Sequence, residues 1–169
     1  MAADDTAEAA RDAVARVRAA LLSAGHADTV TAFPDGTRTA AEAAATLGCD
    51  VARIAKSMIF RVKGTPAPEV VLVITSSSNR VDATRVAAVL GRPVKRADPD
   101  WVHQVTGFPV GGVAPIGFLV PPVTLMDEDL VGLDPVWAGA GSASHMFRSS
   151  AEALRRMTGA RVAVVKLDG

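Results

Sequence analysis

The chain has one cysteine, three histidines and no tyrosine. A single thiol, Cys49, cannot form an intramolecular disulfide. It directly follows Gly48 with no histidine near it in sequence, and a cysteine of that kind is a small hydrophobe before it is a nucleophile. His26, His103 and His145 lie too far apart for any zinc-ligand spacing, so no metal is implied. No apolar run reaches the roughly 20 residues that a membrane-spanning helix needs. The opening MAADDTAEAARD is acidic and alanine-rich and lacks the basic and apolar regions of a secretory signal, which points to a soluble, cytoplasmic protein with no membrane partner. Also missing are the glycine-rich phosphate loop, the dinucleotide fingerprint and the G-x-S-x-G nucleophile elbow. Ser76, Ser77 and Ser78 stand at the end of an apolar run, where serines serve turns. Nucleotide, dinucleotide and serine-triad chemistry therefore drop out, and no cofactor is called for.

Charge is balanced in total, at 18 Lys and Arg against 18 Asp and Glu, and unbalanced along the chain. Residues 51–96 hold nine basic side chains (Arg53, Lys56, Arg61, Lys63, Arg80, Arg85, Arg92, Lys95, Arg96) against Glu69 and Asp82. Residues 97–147 hold six acids and no Lys or Arg. Binding to phosphate responds to the local potential, so a neutral chain can still offer one basic face to a nucleic acid.

The 169 residues suit one domain, 1–169, with no repeat or linker. Asp5-x-x-Glu8 resembles a capping box for a first helix, in which Val14, Val17, Leu21 and Leu22 recur at helical spacing up to a stop at Gly25. A strand over 29–33 is followed by a helix from the Thr39-x-x-Glu42 cap to Gly48. Strands are expected over 58–62 and 70–75, and the unbroken VVLVIT of the second predicts burial on both faces. Asp82 and Asp98-Pro99 cap two more helices, ending at Gly91 and Gly107. Strands over 123–126, 136–138 and 145–148, a helix capped by Ser149-x-x-Glu152, and a closing RVAVV strand complete the order. This pattern is α/β of the α+β type: a mixed, mostly antiparallel sheet curled towards a barrel and covered by helices.

Residues 107–122, GFPVGGVAPIGFLVPP, are too rich in glycine and proline for regular structure and too apolar for a solvated loop. Lys56-Ser57-Met58-Ile59-Phe60, followed about fifty residues later by Gly111-Gly112-Val113-Ala114-Pro115, resembles the YbaK/EbsC family of free-standing aminoacyl-tRNA deacylases and the related editing insertion of bacterial prolyl-tRNA synthetases. In that family a lysine heading a strand faces a G-x-x-x-P loop, and the likeness runs over nearly the whole chain. It implies hydrolysis of mischarged aminoacyl-tRNA. The partners would be a tRNA acceptor end and an aminoacyl-tRNA synthetase.

Within that resemblance Lys56 anchors the terminal phosphate or ribose, as a compact point charge can. The amides of Gly111, Gly112, Val113 and Ala114 are placed to meet the oxyanion. Pro115, which holds the loop's shape, Gly117, His145 and Met146 are the substrate-binding residues. The Cys-tRNA branch has an acidic residue in the segment matching GAGSASHMF, where this chain has no carboxylate; the prolyl-synthetase insertion has a histidine near there, which His145 matches. Val113, Ala114 and Met146 suit a small amino acid such as Ala, Ser, Thr, Cys or 2-aminobutyrate. A non-hydrolytic tRNA- or synthetase-binding module, or a small-ester hydrolase, are the alternatives.

If residues 51–96 bind RNA, the logarithm of affinity should fall with that of salt by roughly 0.7–0.9 per phosphate neutralised. Affinity that stays flat from low to moderate salt would exclude an RNA ligand for this segment.

Overall fold

The computed structural model describes residues 2–33, 39–109 and 111–168. The helices are α1 (Ala2–Ser23), α2 (Ala40–Leu47), α3 (Ala83–Leu90), α4 (Pro99–Thr106) and α5 (Ala151–Thr158). The strands are β1 (Val30–Ala32), β2 (Ile54–Val62), β3 (Val70–Ser76), β4 (Val94–Arg96), β5 (Val123–Asp127), β6 (Val136–Gly139), β7 (His145–Ser149) and β8 (Arg161–Ala163). They form one sheet in the order β1-β7-β6-β2-β3-β5-β8, with β4 also paired to β2. The β1–β7, β6–β7, β2–β3 and β2–β4 pairs are antiparallel, and β2–β6, β3–β5 and β5–β8 are parallel. The sheet is thus mixed and mostly antiparallel, as the order of elements predicts. Its path runs from β1 to β8 without joining them, so the curl does not close into a barrel.

β3 is buried along its whole length, and strand alternation divides it between two cores. Val70, Leu72 and Ile74 pack with Val17, Leu21, Phe108 and Phe147, whereas Val71 and Val73 pack with Phe60, Val86 and Leu125. Helix α1 closes the first face through Ala13, Val17 and Leu21, with Val14 also buried. Leu22 does not join them and is 61% exposed. At 100° per residue it lies about 80° round the helix from Val14, beyond the buried stripe.

Local capping chemistry sets most helix starts. Thr39, Asp82 and Asp98 accept from the amides of Glu42, Thr84 and Trp101, and Pro99 fills the first turn of α4. Two starts differ from expectation. Helix α1 begins at Ala2, so Asp5 and Glu8 are interior to it and form no capping box. The cap of α5 is Ser150, which accepts from the Ala153 amide, because Ser149 is still in β7 and its hydroxyl meets His26 Nε2 at 2.9 Å.

Two strand bounds also move. β2 starts at Ile54, earlier than position 58, because Ile54 and Ala55 find a parallel partner in β6. β8 stops at Ala163, and Val165 instead enters the second core.

One edge of β2 is shared between two strands. β6 pairs with Ile54 and Ala55, β4 pairs with Phe60, Arg61 and Val62, and residues 56–59 are in register with neither, although the Ile59 carbonyl accepts from the Ala97 amide at 3.1 Å. The glycine loop crosses beside this gap, held by contacts that leave no room for side chains. A Cβ on Gly112 would lie 2.7 Å from Ser142 Cα, and one on Gly139 would lie 2.7 Å from the Val113 carbonyl oxygen. Gly141, at φ +100°, backs onto α1, where a Cβ would lie 2.7 Å from the Ala13 carbonyl carbon.

Gly141→Ala should therefore destabilise the protein by about 2–4 kcal/mol in urea unfolding, from backbone strain and overpacking together. Gly132→Ala, also left-handed at φ +84° but with nothing within 4 Å, should cost only the conformational part, about 1–2 kcal/mol. Equal losses would show that close approach to α1 is not what requires Gly141.

Candidate functional site

The gap in β2 opens into a cleft of about 280 Å³. β2 supplies Lys56, Ser57 and Met58, the loop supplies Gly111 and Val113, and α2 with its cap supplies Ala40, Ala43 and Thr39. Gly139, Ser142, His145 and Met146 come from β6, β7 and the turn between them, and Ser77 from the turn after β3. Five of the nine residues singled out in the sequence thus converge: Lys56, Gly111, Val113, His145 and Met146.

The other four lie elsewhere. Gly112 is buried against Ser142, and its amide donates to the Pro109 carbonyl at 3.0 Å, closing a turn. Ala114 is fully buried in the main core. Pro115 and Gly117 line a different cavity of about 300 Å³, with Phe118, Pro121 and Met157. The loop thus alternates between the two sides of its own wall. Val113 remains at the cleft, and among the described residues nothing accepts its N–H.

Lys56 is exposed and has no carboxylate partner among the described residues. Partial burial, followed by the charges of Arg96 and Arg80, lowers its pKa from the ordinary lysine value. All three causes disfavour the cation, and an anionic ligand would relieve the charge repulsion.

The basic excess around Lys56 survives folding. Arg85 pairs with Asp82 and Asp168, and Arg92 with Glu69, which takes up both acids of the segment. Arg61 lies over the Trp101 ring at 4.7 Å and Arg53 donates to the Pro135 carbonyl at 3.0 Å. Neither contact neutralises charge. Among the described residues lining the cleft none is acidic, and no group of His, Cys, Asp and Glu among them could hold a metal.

His145 Nδ1 lies 2.6 Å from the Ser142 hydroxyl, and the Ser144 hydroxyl is 3.5 Å away. The first contact fixes the ring plane. Burial, then the Arg18 charge, depresses the His145 pKa below the ordinary histidine value of 6.5, so the imidazole is neutral at pH 7 and can both donate and accept.

Sequence reasoning passed over two hydroxyls. Ser57 Oγ and Ser77 Oγ, of two residues lining the cleft, are buried without a hydrogen-bond partner among the described residues, which is rare for buried polar atoms. Ser57 belonged to the lysine motif and Ser77 to a serine run at a strand end, but neither signal distinguishes a hydroxyl used in a turn from one left open. Ser142 was likewise invisible until the turn brought it to His145.

The profile of the aminoacyl-tRNA editing domain matches residues 34–157. The chain belongs to this family. The editing domain is 31% identical over 113 residues to the uncharacterized protein YwhH of Bacillus subtilis (strain 168), a match covering 67% of this chain and 70% of that one. It is similar to the crystal structure of a protein proposed as a trans-editing enzyme for prolyl tRNA synthetase, at 36% identity and TM-score 0.85, over 92% of this chain and 98% of the other. It is also similar to hypothetical protein APE2540, at 30% identity and TM-score 0.82, over 90% and 99% of the two chains. The cleft of the editing domain is therefore the place to seek an aminoacyl-tRNA end, and no helix among its described residues is long and apolar enough to cross a membrane.

Because its folded pKa is depressed, His145 contributes stability that is full above 6.5 and is lost as pH falls through the folded value. The melting temperature of His145→Gln should accordingly fall less between about pH 7.5 and about pH 5 than that of the wild type. Parallel curves would show that the ring is not desolvated.

Proposed function

We propose that the chain is an aminoacyl-tRNA deacylase acting in trans, which removes a small amino acid wrongly esterified to a tRNA. The observation that carries this reading is the meeting of Lys56, Val113 and His145, from three separate segments, in one cleft with no acid among its described lining residues and with the charges of Arg80 and Arg96 acting on Lys56. The reaction asks little of the protein, because the ester is activated and the leaving group is a ribose hydroxyl. Water adds to the ester carbonyl, the tetrahedral oxygen takes the negative charge, the bond to the ribose oxygen breaks and a proton passes to that oxygen. Free amino acid and tRNA result.

In this mechanism Lys56 anchors the terminal phosphate or ribose, with Arg80 and Arg96 adding to the field. The Val113 amide meets the oxyanion, a role that the Gly112 amide cannot share while it closes its turn. The neighbouring 2′-hydroxyl of the ribose assists the water, so no protein nucleophile is needed. Met146, Ala40 and Ala43 bound the side-chain end of the cleft and restrict it to residues of the size of Ala, Ser, Thr, Cys or 2-aminobutyrate. A synthetase pocket separates side chains differing by one methylene by only about 1–3 kcal/mol, which leaves errors for a second, size-limited site to remove. The likeness to the trans-editing structure makes mischarged tRNA of the proline system the first substrate to test, with prolyl-tRNA synthetase as partner.

Lys56→Ala should lower deacylation by at least about 100-fold and leave stability within about 0.5 kcal/mol. Lys56→Arg should be strongly impaired too, because a planar guanidinium does not replace a point charge in a narrow cleft. The assay is release of amino acid from a panel of mischarged tRNAs, with aminoacyl adenosine in parallel. Near-normal turnover by Lys56→Ala would overturn the site. Binding without turnover in the wild type would mark a non-hydrolytic module, and equal turnover of aminoacyl adenosine would mark a small-ester hydrolase.

A further inference from the structure

The turn after β3 is held by a network of hydrogen bonds centred on one carboxylate. Asp127, fully buried at the end of β5, accepts at Oδ2 from the Thr75 hydroxyl at 2.8 Å, the Ser76 amide at 3.1 Å and Asn79 Nδ2 at 2.7 Å. Its Oδ1 accepts from the Asp129 amide at 2.9 Å. Asn79 Nδ2 also donates to Asp129 Oδ2 at 2.8 Å. The Ser76 hydroxyl donates to the Ala52 carbonyl at 2.9 Å and meets the Ser78 hydroxyl at 2.8 Å. The Ser77 amide donates to the Ile54 carbonyl at 2.9 Å. The hydroxyl of Ser77, a residue that lines the cleft, is buried and has no hydrogen-bond partner among the described residues, like that of Ser57 in β2. A desolvated hydroxyl without a partner is unfavourable, and here it is held in place by a network that includes a fully buried carboxylate. Such an arrangement makes sense when a ligand completes the bond.

The chemistry of the cleft narrows what that ligand group is. An aminoacyl ester brings one basic nitrogen, its α-amino group. With Lys56 beside it and no acid among the described lining residues, the cleft disfavours an ammonium. A neutral amine titrates near the range of ordinary α-amino groups, about 7.7–8.0, and both donates and accepts hydrogen bonds. A serine hydroxyl is its complement, since it also does both.

We propose that Ser77 is a substrate-contacting residue whose hydroxyl receives the neutral α-amino group of the aminoacyl ester, and that Asp127 is the positioning residue that holds Ser77 there. The proposal rests on the deacylase reading. It adds to that reading a recognition element for the amine and gives Asp127 a task beyond joining β5 to β3.

The test compares two esters of one tRNA, alanyl and propionyl, which differ by the amino group alone. Ser77→Ala should lower kcat/KM for the alanyl ester by about tenfold and leave the propionyl ester unchanged. Asp127→Asn should show the same selective loss, and the Ser77→Ala/Asp127→Asn double variant should be no worse on the alanyl ester than the weaker of the two single variants, because the second change acts through the first. If Asp127→Asn does not fold, as judged by its melting curve, Asn79→Ala releases the turn from one of its donors and takes its place in the comparison.

Equal losses on both esters would overturn the amine assignment and place the hydroxyl against the ribose or the ester itself. Unchanged activity of Ser77→Ala would overturn the contact, and additive losses in the double variant would overturn the positioning role. Wild-type protein that hydrolyses neither these esters nor any other mischarged tRNA of the panel would overturn the deacylase reading and this proposal with it, whereas each of the other failures leaves that reading standing.

Discussion

The cleft depends on how one edge of β2 is divided. A strand edge normally meets one neighbour, and its backbone groups are used up along its length. Here a parallel partner takes the first two residues and an antiparallel partner the last three, which leaves 56–59 between them, with only the Ile59 carbonyl accepting from Ala97 just beyond β4. Since β3 occupies the opposite edge throughout, β2 cannot shift to fill the gap without breaking seven registered pairs. The opening is therefore a rigid consequence of strand pairing, walled by side chains of β2 and by a loop that reaches the gap only because Gly112, Gly139 and Gly141 let backbones touch.

This division explains which parts of the site were legible in the sequence. Capping signals are local, so Thr39, Asp82 and Asp98 could be placed from neighbouring residues alone. The burial of β3 on both faces was visible in its unbroken apolar run. Sheet order was not visible, because the β2–β6 pair joins residues 54 and 137 and no local signal encodes that distance. The glycine loop showed both cases. Its composition marked a special backbone, and a family resemblance tied it to Lys56. Yet Gly112 is a glycine because Ser142 lies against it, not because its amide must be free, and Pro115 and Gly117 belong to the opposite wall. A one-dimensional motif lists such residues side by side, whereas an extended loop turns successive residues to opposite sides.

Electrostatics follow the same division of labour. The acids inside the basic segment are each bonded to an arginine of that segment, so the remaining cations keep their field. Among the described residues the most deeply buried acid, Asp127, organises a turn without neutralising Lys56. With no carboxylate among the described lining residues, the cleft keeps an attractive potential for phosphate, and neutral hydroxyls are left to meet the rest of a ligand.

The wide spacing of the cleft's parts has a kinetic consequence. Its lining residues run from Thr39 to Met146, and its walls close only when β6 and β7 have joined β2 and β1. Contacts that distant in sequence form late, after the entropy of long loops has been overcome. On the ribosome the β2–β3 hairpin and its basic residues emerge while the segment that completes the cavity is still unmade. A chain made only through β3 thus carries Lys56 without the cleft around it, and the lining of that cleft is complete only once Met146 has been made.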